Sequence, residues 1–164
     1  MATIYNTPNN VTYRNVIDTF NTIATNHFEI KFFKTGSLND VDIDKLDATQ
    51  FVMMYVEPQP VSIDTQTLTY SFDVIIADRI LEDYSNQTDA YSETLQIMKD
   101  VIANFRQSMS STSWADSRTE IELPISLNPF TSRFANMLTG WVGTFNIVVN
   151  NDNNLCISPQ TFNS

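Results

Sequence analysis

The feature that most constrains this chain is a long alternating segment. Leu68, Tyr70, Phe72, Val74 and Ile76 alternate with Thr69, Ser71, Asp73, Ile75 and Ala77, and a strand from Gln66 to Asp78 contains 13 residues. Fully extended, it spans roughly 43 Å at about 3.3 Å per residue. The whole chain has 164 residues, which folds to a radius of gyration of roughly 15 Å and a diameter of roughly 40 Å. The strand therefore either bends sharply or runs past the body of the domain. An overhanging hairpin of this kind is a means of gripping a neighbouring subunit.

The remaining elements arrange themselves around that strand. Residues 1–10 are polar and turn-rich and read as a flexible N-terminal arm. Val16, Ile17, Phe20, Ile23, Ala24 and Phe28 then follow helical spacing, which predicts a helix over 12–27 capped by Asn10 or Thr12. Residues 28–34 alternate and predict a strand, and 36–49 form a polar, acidic loop. Phe51–Val56 is a short apolar run bounded by Pro58 and Pro60, read as a strand buried on both faces. A second helix is expected over 88–107, capped by Thr88 or Asn86, with Tyr91, Leu95, Met98, Val101, Ile102 and Phe105 on one face. Residues 107–118 form a long serine-rich loop around Trp114. Ile121–Leu127 reads as an edge strand because of Pro124, 128–138 as a segment with a short helical turn, and 141–149 as a last strand. A C-terminal tail, 151–164, completes a single domain over 1–164.

The order is α-β-β-β-α-β-β. With more strands than crossovers, the expected fold is α+β: a mixed, mostly antiparallel sheet with both helices packed on one face.

The chemistry visible in the chain is sparse. One cysteine, Cys156, excludes a disulfide within the chain and any multi-thiolate metal site, and no basic neighbour lowers its pKa. One histidine, His27, falls at the end of the first helix and reads as a capping or surface residue. Asp40-Val41-Asp42-Ile43-Asp44 opens like a calcium loop, but Lys45 stands where the turn requires Gly and Phe51 where the bidentate Glu belongs. Three glycines cannot build a phosphate-cradling loop, and 107–118 carries no serine-nucleophile motif. Neither a cofactor, nor a metal, nor an enzymatic activity is expected. Nine basic against nineteen acidic residues give a net charge of −10, which argues against a protein that reads nucleic acid through its phosphates. No apolar run is long enough to span a membrane. The first ten residues lack a basic segment followed by an apolar one, so synthesis in the cytoplasm without a secretory signal is expected.

Three segments taken in order, Tyr70–Asp78, Ser92–Asp100 and Leu123–Phe134 with Gly140-Trp141, resemble a small structural protein of tailed bacteriophages, notably the crAss-like group. The likeness covers roughly residues 12–156. It is similar to the tail-terminator and head–tail connector class, α+β subunits whose copies form a ring in the neck or tail around the DNA channel. The resemblance implies a virion protein in a homo-oligomeric ring, six- or twelve-fold. It would contact portal, neck and tail proteins, let DNA pass without sequence-specific binding, and have no membrane partner. It carries no catalytic residue. A ring needs two different adhesive surfaces per subunit. The candidates are backbone pairing by the 57–78 hairpin and the apolar side chains Leu68, Tyr70, Phe72, Trp114, Phe130 and Trp141. Asp40, Asp42, Asp44 and Asp47 are candidates for an acidic lumen that keeps DNA sliding. The alternatives are a tail-tube or baseplate component, and an acidic mimic of nucleic acid that inhibits a host protein.

Overall fold

In a computed structural model, residues 11–37, 48–110, 119–131 and 137–151 are described. The fold is α+β. In chain order the elements are α1 (Tyr13–Asn26), β1 (Phe32–Thr35), β2 (Met53–Ile63), β3 (Thr67–Arg79), α2 (Gln87–Ser110), β4 (Glu120–Ile121), β5 (Leu127–Thr131) and β6 (Leu138–Asn150). A short 3-10 turn, Ala48–Gln50, precedes β2. The described strands form one mixed sheet in the order β1-β2-β3-β6-β4, with β5 also paired to β6. Among the described strands only β1 and β2 run parallel, and every other pair is antiparallel.

α1 starts where the sequence offers a reciprocal cap. Thr12 Oγ1 accepts from the Asn15 backbone N–H at 3.2 Å, and Asn15 Oδ1 accepts from the Thr12 backbone N–H at 2.8 Å. The helix ends at Asn26, and His27 is already extended. Helical periodicity therefore stops before Phe28, which is 90% exposed rather than part of the apolar stripe. Asn86, one of the two expected caps of α2, lies just before the helix and its carbonyl accepts from Ala90. Its side chain instead ties the preceding loop, accepting from the Leu81 backbone N–H at 2.8 Å.

Both helices cover one face of the sheet. Val16, Phe20, Ile23 and Ala24 of α1 and Ile97, Met98, Val101 and Phe105 of α2 pack on Met54, Val56, Tyr70, Phe72, Val74, Ile76, Phe145, Ile147 and Val149. Phe20 sits at the centre, with ring centroids 4.6 Å from Phe105, 5.6 Å from Phe72 and 5.8 Å from Phe145. A smaller cluster, Met53, Tyr55, Ile75, Ala77, Phe130 and Leu138, is buried on the opposite side.

Three expectations are corrected. The strand expected over 28–34 shortens to β1, because 27–30 is spent turning out of α1. β2 does not stop at Val56 but continues through Pro58 and Pro60 to Ile63. That is possible because β1 pairs only as far as Val56, so the proline half of β2 has no described strand on its outer side. The single strand expected over 121–127 is two short ones, β4 and β5, separated by the segment around Pro124; of the segment 128–138 expected to hold a helical turn, 128–131 belong to β5 and 132–136 lie outside the described residues. The serine-rich stretch is helical up to Ser110, and its remainder lies outside the described residues, as do the N-terminal arm, residues 38–47 of the acidic loop and 152–164 of the tail.

β6 approaches β3 closely at Gly140, where a Cβ would overlap the carbonyl oxygen of Ile76. At Gly143 a Cβ would meet side-chain ends instead, Leu127 Cδ2 at 2.6 Å and Ile125 Cγ2 at 3.3 Å. Gly140→Ala is therefore expected to lower unfolding free energy by about 3 kcal/mol, and Gly143→Ala by clearly less, since side chains yield where backbone does not. Urea titration of the two variants checks the order; equal losses would contradict it.

Candidate functional site

At its far end the long strand lies in a four-stranded part of the sheet, β2-β3-β6-β4, whose helix side is still buried at Val149, opposite Leu68. β3 keeps β6 beside it over its full length, from Thr67↔Asn150 to Arg79↔Leu138. On its other side lies β2, whose own outer partner leaves early. β1 ends in a clamp on β2: Thr35 Oγ1 donates to the Val56 carbonyl at 2.8 Å, and Tyr55 Oη to the Gly36 carbonyl at 2.8 Å.

Beyond that clamp the register of β2 slips. Gln59 faces Ser71, but Ser62 faces Thr69, so β2 carries one extra residue. Because side chains alternate with a period of two, the bulge exchanges the faces. Before it, Met54 and Val56 point at the helices; after it, Ile63 faces Leu68, which belongs to that same helix side. Val61 follows Ile63 by the same period. The apolar row Phe72, Tyr70, Leu68 is thus flanked on β2 by Ile63 and Val61. These two stand 73% and 47% exposed. At the end of the hairpin the Asp64 backbone N–H donates to the Thr67 carbonyl at 2.8 Å. Asn151 binds the turn from β6, through its backbone N–H to Gln66 O at 2.9 Å and its side chain to Asp64 O at 3.0 Å.

The other face of this part of the sheet is polar. Asp73 accepts from Gln59 Nε2 at 2.9 Å and from Thr144 Oγ1 at 2.7 Å, one bond to each carboxylate oxygen. Ser71 Oγ donates to Asn146 Oδ1 at 2.7 Å. The far end of the sheet is therefore amphipathic, with aliphatic side chains in water on one side and a satisfied polar network on the other.

The candidate residues separate accordingly. Tyr70, Phe72 and Phe130 are core residues, each less than a tenth exposed, so their side chains are spent inside the subunit and cannot be free anchors. Tyr70 Oη donates to the Val11 carbonyl at 3.1 Å, and burial pushes its hydroxyl pKa up. Trp141 is half-buried, and its Nε1–H donates to the Tyr91 carbonyl in α2 at 3.0 Å. Leu68 is half-buried at the root of the exposed strip. Trp114, Asp40, Asp42, Asp44 and Asp47 lie outside the described residues. Of the 57–78 hairpin expected to pair through its backbone, β3 has β2 and β6 on its two edges, while β2 beyond Val56 has no described strand on its outer side. Val61 and Ile63 were missed; the signal for them is their alternation with Ser62 beyond the two prolines.

Two concavities accompany the sheet. One, of about 380 Å³, lies between the turn after α1 and the face of α2, and includes His27, Glu29, Glu93 and Asp100. The second, of about 450 Å³, is bounded by Phe51 and residues 78–82, where the Arg79 guanidinium stands 5.7 Å from the centre of the Phe51 ring. Among the described residues no group of three or more His, Cys, Asp or Glu is arranged to hold a metal ion, and no helix is long and apolar enough to cross a membrane. No family model matches this chain, and no curated protein matches it.

In the second concavity burial raises the pKa of Asp78 above the ordinary carboxylate value, against the smaller opposing pull of the Arg79 backbone N–H and charge. A carboxyl that binds its proton more tightly in the folded state makes the fold most stable in acid, and that stability is lost as pH rises through the raised value. Asp78→Asn is expected to melt close to the parent at pH 3 and above it at pH 7. Melting curves at the two pH values test this; a gap that does not change between them would contradict it.

Proposed function

We propose that this chain is a non-enzymatic structural subunit of a tailed-phage virion. In this reading it assembles with its own copies into a ring in the neck or tail, between portal-side and tail components and around the passage for DNA. The observation that carries it is the amphipathic end of β2, with Val61 and Ile63 exposed on the helix side of the sheet. Two neighbouring aliphatic side chains on an ordered strand offer apolar surface whose removal from water by a partner is favourable. The order is itself informative, since the end is sealed by Asn151 instead of fraying. The resemblance to ring-forming neck and tail proteins supplies the identity of the partner, a second copy of the chain.

The mode of contact follows from the prolines. Pro58 and Pro60 remove two donors from the outer half of β2, which discourages a neighbour from adding a strand there. Side-chain packing onto Val61 and Ile63 is left as the adhesive interaction. A contact between this strip and a different surface of the next copy is heterologous, and heterologous contacts close into rings when the rotation allows. The net charge of −10 suits a conduit through which DNA slides.

The purified chain is expected to show concentration-dependent self-association by light scattering, with ring-shaped particles in electron micrographs. The Val61→Lys, Ile63→Lys double variant should unfold within about 0.5 kcal/mol of the parent, since both positions face solvent. Its self-association should be weaker by about tenfold or more. A parent that stays monomeric at high concentration, or a variant that assembles as well as the parent, would overturn the reading.

A further inference from the structure

We propose that His27 is a proton-operated latch on the turn that joins α1 to β1. The inference rests on the hydrogen bonding of one ring and is independent of the ring-assembly reading. The two imidazole nitrogens have different partners. Nδ1 lies 3.2 Å from the backbone nitrogen of Glu29, whose N–H donates to it. Nε2 lies 3.2 Å from Asp100 Oδ2 on α2. A nitrogen that accepts carries no hydrogen, so the neutral ring holds its proton on Nε2 and donates it to Asp100. The imidazole is thus a bridge, with the turn on one side and α2 on the other.

Protonation leaves one half of that bridge intact and breaks the other. The Nε2–H bond to Asp100 becomes charge-assisted and tightens. Nδ1 acquires a hydrogen aimed at the Glu29 N–H, donor against donor, and that bond is lost. The His27 side chain is only 13% exposed and is anchored to α2, so the backbone of the turn is the part that moves. The charged groups lining the concavity beside the ring are Glu29 from the turn itself, and Glu93 and Asp100 from α2. On the same elements Lys31 Nζ donates to the Phe28 carbonyl and Lys99 Nζ to Gln96 Oε1, both keeping their charge. What the turn carries gives the latch its consequence. Phe28 stands almost fully exposed, while Ile30, two residues on, is buried and fixes the start of β1. Acid therefore frees the Glu29 amide beside Phe28 without unseating the strand or the Lys31 bond to the Phe28 carbonyl.

With one histidine in the chain, a titration of the uniformly ¹⁵N-labelled protein from pH 8 to pH 5, the interval in which imidazoles change charge, isolates the effect. At pH 8 the imidazole spectrum should show hydrogen on Nε2 and a ¹⁵N–¹⁵N coupling across the Glu29 N–H to Nδ1 bond. On acidification the coupling should vanish and the Glu29 amide should shift with the same midpoint as the ring. In His27→Asn, whose side-chain oxygen accepts near the position of Nδ1, the Glu29 amide should not respond. In Asp100→Asn the coupling at pH 8 should persist, since the Glu29 N–H to Nδ1 bond does not involve Asp100. Hydrogen on Nδ1 at pH 8, a Glu29 amide indifferent to ring protonation, or the same Glu29 response in His27→Asn would overturn the proposal.

Discussion

Every other feature of the structure depends on the pairing of β3 with β6. Two strands of thirteen residues run antiparallel end to end with no register slip. A slip of one residue would turn Tyr70, Phe72, Val74 and Ile76 away from the helices and carry Asp73 and Ser71 into the core. The pairing is enforced from both ends. Gly140 lets β6 approach the Ile76 carbonyl where no other residue fits, and Asn151 fastens the opposite end to the hairpin turn. Between them Phe72 and Phe145 face each other across the strands and share Phe20 as their cover. The helices therefore pack on a surface whose registration is already fixed.

The exposed strip is a consequence of unequal strand lengths. The helix side is buried along β3 and β6 as far as Val149, and β1 supports only the first half of β2. Where support ends, β2 meets three features in succession: an open edge, two prolines and a bulge. The prolines guard the edge against indiscriminate strand addition. The bulge returns Val61 and Ile63 to the helix side, so the apolar face continues across the outer half of β2. A strand that merely overran its partners would have kept its earlier phase and turned Ser62 to that side.

Much of this was legible from residue pattern. Strict alternation announced β3 within a residue of its limits, and helical spacing announced both helices, because each element buries one face and its pattern records which. The readings that failed did so where tertiary surroundings overrode a local rule. Pro58 and Pro60 read as the end of a strand, since a central strand cannot spare their N–H groups; only the topology reveals that β2 is an edge there. Phe28 matched the α1 stripe by spacing, but a cap at His27 removed it from the helix. Of the candidate contact residues, Tyr70, Phe72 and Phe130 were identified as large and apolar, and that same property sent them into the core. Aromatic content cannot distinguish an anchor for a partner from an anchor for the fold. Exposure of a smaller aliphatic residue, such as Ile63, makes that distinction only after the helices have been placed.

The polar face at this end of the sheet limits how a partner can approach. Asp73 is half-buried with both carboxylate oxygens engaged, by Gln59 and Thr144, and Ser71 and Asn146 satisfy each other beside it. Covering that face with apolar surface would remove water from a carboxylate without offering it a better partner, which costs free energy. The helix side offers the opposite balance, since Val61 and Ile63 lose unfavourable hydration when covered and give up no hydrogen bond. If copies assemble as proposed, contact is therefore one-sided. A partner that meets each subunit from the helix side leaves the acidic and polar side facing solvent. On the assembly reading, one-sidedness of this kind gives the subunit a direction, and a head-to-tail ring requires a direction that a symmetric adhesive ribbon would not supply.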